Sequence, residues 1–140
     1  MLEPTCKDRI NQELKNRITD LKILWNLYCN DPEKYDPDLG NFPEYGLCFD
    51  YVAPGTFKNQ RKGYFRYQLS YGGPSDEFRF YTDRDNKLHK IEYVFLDWFD
   101  GAVKNLTGKR FDLLSEIFQD FDDCGTVEYL YNKAMEEMED

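Results

Sequence analysis

A nucleophile and base pair would have to be built from one histidine, His89, and four cysteines, Cys6, Cys29, Cys48 and Cys124. Thiolate or general-base catalysis needs the imidazole within hydrogen-bond reach of the thiol. Alternation along the strand carrying His89 sets it beside a turn, and alternation along the strand carrying Cys48 sets that thiol on the opposite face. No Cys-His pair is therefore expected. The cysteines lack Cys-x-x-Cys spacing, and one histidine leaves zinc short of ligands. With no secretion signal they read as reduced thiols.

Carboxylate pairs offer a second chemistry, metal binding, at Asp83-x-Asp85 and at Asp120-x-Asp122-Asp123. The first fails as a calcium loop because Leu88 stands where a glycine is needed and Val94 where a glutamate is needed. A hairpin turn, in which Asp and Asn side chains bond their own backbone, accounts for it instead. The second closes a helix at its negative pole and draws on one element only, which suits magnesium poorly. Gly72-Gly73-Pro74-Ser75 is followed by a strand and no Lys-Ser or Lys-Thr, so it is not a phosphate cradle. The chain is expected to have no catalytic set, no metal and no cofactor.

What remains is electrostatic chemistry. From Val94 to Asp140 twelve acidic residues face four basic ones, whereas residues 56–93 carry eight basic against five acidic, within a total net charge of -9. Asp112, Glu116 and Asp120 follow one another at four-residue spacing, which stacks them on one helix face about 6 Å apart along the axis. Asp122, Asp123, Glu136, Glu137 and Glu139 extend the negative surface, and the Asp31 to Asp38 stretch adds to it. Such rows can imitate a phosphate backbone and occupy the basic groove of a nucleic-acid-binding protein. A solvated helix face with a disordered solubilising tail over 136–140 is the simpler alternative.

These groups must be carried by a small set of elements. Thr5 caps a long helix with an apolar stripe through Cys6, Ile10, Leu14, Ile18, Leu21, Trp25 and Tyr28, ending near Asn30. An acidic, proline-rich loop follows to Gly46. The period then drops to two in four runs, around Phe49, Phe65 to Leu69, Phe78 to Phe80, and Ile91 to Phe95, separated by turn residues. Phe111, Leu114, Ile117, Phe118 and Phe121 restore a helical stripe up to Cys124-Gly125, and a last helix passes through Val127, Leu130, Tyr131 and Ala134. The expected fold is α+β: an N-terminal helix, a four-stranded antiparallel meander, and two or three C-terminal helices packed on one face of the sheet.

The other sheet face would present Tyr64, Arg66, Arg79 and Tyr81, with Asp50 and Glu92 as cross-strand ion partners. Aromatic and arginine residues on a sheet suggest a single-strand platform, but a net charge of -9 opposes direct nucleic-acid binding, which draws most of its strength from phosphates. That face is a second place for a protein partner.

At 140 residues the chain suits one domain, residues 1–140. No segment approaches the roughly 18 apolar residues of a membrane span, so a cytoplasmic location with no membrane partner is expected. The stretches Tyr45 to Gly55, Gly63 to Tyr67 and Leu96 to Gly101 resemble small acidic proteins carried by phages and plasmids. Size, acidity and lack of a catalytic set are similar to anti-CRISPR and antirestriction proteins, several of which mimic DNA. That resemblance implies a non-enzymatic inhibitor, monomeric or homodimeric, whose partner is a basic nucleic-acid-processing protein such as a CRISPR effector or restriction nuclease. A scaffold or regulatory module using the outer sheet face is the alternative.

Overall fold

The computed structural model describes residues 4–139. Its first helix, α1, spans Cys6–Asn30 and begins with a capping box: the Thr5 hydroxyl accepts from the Asp8 amide at 3.2 Å, and the Thr5 amide donates to the Asp8 carboxylate at 3.0 Å. Its buried stripe is Cys6, Ile10, Leu14, Ile18, Leu21 and Leu24. Trp25 and Tyr28, expected on that stripe, are only partly buried at its C-terminal end. The expected loop contains a single turn of helix, α2 (Phe42–Tyr45), whose Asn41 side chain accepts from the Glu44 amide.

The sheet has five strands rather than four: β1 (Cys48–Val52), β2 (Tyr64–Ser70), β3 (Ser75–Thr82), β4 (Leu88–Asp97) and β5 (Asp100–Asn105). They run in sequence order, each antiparallel to the next. The sequence hides β5 because Asp-Gly-Ala-Val-Lys-Asn shows little alternation. It is an exposed edge strand whose Ala102 pairs with Phe95 and packs at the core's margin. Two helices close the chain, α3 (Gly108–Asp123) and α4 (Thr126–Glu139). The fold is therefore α+β, with α1, α3 and α4 layered on one face of a five-stranded meander. The last helix runs beyond Ala134 to Glu139, so Glu136 and Glu137 are helical; the Glu139 side chain and Asp140 lie outside the described residues. No described helix is long and apolar enough to cross a membrane.

Between the layers sits an aromatic core. Phe118 of α3 meets Phe80 at 5.0 Å, Phe65 at 5.7 Å and Phe49 at 6.2 Å between ring centroids, and Phe121 stacks on Phe49 at 4.0 Å. Each fully buried ring of this kind contributes on the order of 2–3 kcal/mol. One buried polar cluster crosses the same space. Asp76 is 3% exposed, and Arg17 donates to it twice, at 2.7 and 2.9 Å. Tyr93 donates to it at 2.6 Å and Ser70 donates as well. Arg17 also donates to the Tyr45 hydroxyl, which donates onward to Asp20 at 2.7 Å. This cluster ties α1 to α2 and to three strands, and it leaves no buried side-chain nitrogen or oxygen without a partner among the described residues. Burial, together with the bond to Asp20, pushes the Tyr45 hydroxyl up to about 12.

Candidate functional site

The C-terminal end of α1 brings Trp25, Tyr28 and Cys29 to one face, at the three- and four-residue steps that align side chains on a helix. On α3, Glu116, Gln119, Asp120 and Asp123 share a face for the same reason. Together these residues line a cleft of about 450 Å³ between α1 and α3. Trp25 lines it, held edge-on against Phe42 of α2 at 5.1 Å and beside Tyr28 at 5.6 Å. Its indole N–H donates to Glu116 at 3.1 Å. Gln119 donates to Asp123 at 2.8 Å.

No lysine or arginine lines this cleft, and its electrostatics record that. The Asp120 charge, then burial, raises the Tyr28 hydroxyl above its ordinary value. Burial, then the Glu116 and Asp120 charges, raises the Cys29 thiol. A thiol held up in this way is a poor nucleophile at neutral pH. Among the described residues no three His, Cys, Asp or Glu side chains gather closely enough to hold a metal ion. Aromatic rings and carboxylates lining one cleft instead suit a guanidinium or ammonium group, through cation–π contact and charge-assisted hydrogen bonds.

The expected acidic residues do not all line the cleft. Glu116, Asp120 and Asp123 meet at the cleft. Asp112 is exposed on α3 outside it, Asp122 faces the β3–β4 turn beside Asp85 and Lys87, and Glu136 and Glu137 are exposed on α4. Trp25 and Tyr28 escape the sequence reading as site residues because aromatics on a helical stripe ordinarily mean core. The signal available was their place at the C-terminal end of the stripe.

The outer sheet face differs from expectation in one respect. Tyr64 is on it but buried, 2% exposed, with the Arg79 guanidinium over its ring at 4.6 Å and Tyr81 at 5.7 Å. Arg66 donates to Asp50 at 3.0 and 2.7 Å, the predicted cross-strand pair. Arg79, opposite Glu92 in register, pairs instead with Glu77 on its own strand at 2.7 Å. Both guanidiniums thus have carboxylate partners. Cys48 and His89 stand on strands three steps apart, about 14 Å at ordinary strand spacing, so no pair forms. The Asp83 carboxylate accepts from the Asp85 and Lys87 amides, as a hairpin turn requires.

Compared with protein-family models, curated proteins and solved structures, the chain shows no match.

Proposed function

We propose that this protein is a non-enzymatic inhibitor that docks its acidic α3 and α4 surface into the basic groove of a nucleic-acid-processing protein, an anti-CRISPR or antirestriction protein by activity. The cleft between α1 and α3 receives an arginine or lysine of that partner, and the exposed Tyr129 on α4, 63% accessible, supplies apolar contact beside the carboxylates. The observation that carries this reading is the distribution of ion pairs. All five among the described residues use carboxylates of the sheet or its connections, and none uses a carboxylate of α3 or α4. Charge left uncompensated within the fold is available to a partner, and its counterions are released on binding.

The outer face has less support as the principal docking surface, since Arg66 and Arg79 are already paired there. The test is inhibition of DNA cleavage across a panel of purified CRISPR effectors and restriction nucleases, with substrate DNA as competitor. Asp120→Lys with Asp123→Lys is the informative variant, because both positions lie in the last turn of α3, where cations suit the helix dipole and folding is spared. Inhibition of one panel member, relieved by DNA and lost in this variant, is the expected result. Inhibition of none, or inhibition indifferent to the variant, would remove the proposal.

A further inference from the structure

The connection between β1 and β2 is long, yet it is built as a rigid shelf. The Gly55 amide donates to the Gln60 carbonyl at 3.0 Å, and the Thr56 amide and hydroxyl both donate to the Ala53 carbonyl. The Gln60 side chain accepts from the Phe57 amide at 3.0 Å and donates to the Lys62 carbonyl at 2.8 Å. Gly55 and Asn59 take the left-handed conformation that such tight reversals need. The shelf stands beside the outer face of β2, β3 and β4 and encloses a groove of about 590 Å³, which continues into a second hollow of about 890 Å³.

Positive charge and aromatic rings line this groove. Lys58, Arg61, Lys62 and His89 open onto it, and Arg84 onto its continuation. Among the described residues Lys58, Arg61, Lys62 and Arg84 have no carboxylate within ion-pairing distance, unlike Arg66 and Arg79 nearby. The two acids present are committed elsewhere: Glu92 to Lys90, and Asp83 to the backbone of its own turn. Phe57 is 51% exposed on the shelf, and Tyr81, with Lys90 over its ring at 5.5 Å, lines the same groove. The objection from total charge weakens locally, because among the described residues no carboxylate of α3 or α4 lines the groove or its continuation, and exposed charges are screened beyond about 8 Å at physiological salt.

We infer that this groove binds a nucleoside phosphate, either a free nucleotide or an unpaired end of a nucleic-acid strand, with phosphates on Lys58, Arg61 and Lys62 and the base against Phe57 and Tyr81. An acidic peptide would satisfy the cations but leave the exposed Phe57 ring without a partner. This site is separate from the acidic cleft and stands or falls without it.

The experiment is fluorescence anisotropy of the full chain with a labelled ten-nucleotide single strand, together with calorimetric titration of ATP, GTP and a decaglutamate peptide. The strand should bind at low salt with a Kd of about 10 µM, and log K should fall with log salt with a slope of about -2. Lys58→Glu with Arg61→Glu and Lys62→Glu should abolish binding, and Phe57→Ala should weaken it about tenfold without changing the salt slope. Binding of the strand but not of mononucleotides supports the inference with a strand end as ligand; comparable binding of a mononucleotide supports it with a free nucleotide. No binding of any nucleotide probe, tighter binding of decaglutamate, or strand binding that survives both variants overturns it. Unchanged melting of the Phe57→Ala protein guards against loss through misfolding.

Discussion

Charges on the sheet side of this molecule and charges on its helical side have different fates. On the sheet side Asp50, Asp76, Glu77, Glu92 and Asp97 each sit within 2.6 to 3.5 Å of an arginine or lysine. On α3 and α4, among the described residues, the carboxylates engage only uncharged groups, such as the Trp25 indole and the Gln119 amide. The contrast separates two uses of the same side chains. A paired, buried carboxylate holds elements in register, and an unpaired, exposed one projects a field that something else must neutralise.

The largest effect that would break this comparison lies at Asp76. Asp76→Ala leaves Arg17, Ser70 and Tyr93 without their common acceptor and should destabilise the fold by about 3–5 kcal/mol in chemical denaturation. On the helical side Asp120→Lys with Asp123→Lys should leave stability within about 0.5 kcal/mol while lowering partner affinity about 100-fold, a separation no sheet-side substitution should reproduce. High pH tests the paired side again. Tyr45 is held up to about 12, and Tyr93 is raised by burial and its bond to Asp76, both from an ordinary value near 10. Raised acids favour the folded state fully below their unfolded value, so stability should be flat to about pH 10 and fall as pH rises towards 12, measured by melting across that range. Breaking the more exposed Arg66–Asp50 pair with Asp50→Asn should cost only about 1 kcal/mol or less.

A small effect of opposite sign is expected at the β4–β5 turn. Trp98 takes φ 57, a conformation costly for a bulky residue, and is 88% exposed. Its neighbour Phe99 is fully exposed, while Arg9 bonds Asp97 at 2.6 Å and the Cys6 amide bonds Asp100 at 2.8 Å from below. Trp98→Gly should raise stability by about 0.5–1 kcal/mol in thermal melts, because nothing packs on the ring it removes.

Local signals made much of this fold legible. Thr5 announces the start of α1, and alternation announces β1 to β4. The fifth strand was not legible, since its turn holds Trp98 and Phe99 where a two-residue hairpin normally shows Gly or Asn, and its own residues are edge residues with little to bury. The acidic row was readable from its four-residue spacing. The cleft was not, because it depends on Trp25 meeting Glu116 across 91 residues of chain, a contact set by how α1 and α3 cross the sheet rather than by either helix alone. The buried state of Tyr64 was hidden for a similar reason: alternation places it on the outer face, but Arg79 and the neighbouring shelf cover it.

The proposed engagement of a basic partner rests on uncompensated carboxylates at the α1–α3 cleft and along α3 and α4. Its most direct test is the affinity of the wild-type chain and of the Asp120→Lys, Asp123→Lys variant for the nuclease inhibited in the panel, measured across a roughly tenfold range of ionic strength. Wild-type affinity should fall steeply with salt, and the variant should bind weakly with a shallower slope. A wild-type affinity that stays flat with salt, or a variant that binds as tightly as the wild type, would contradict the account.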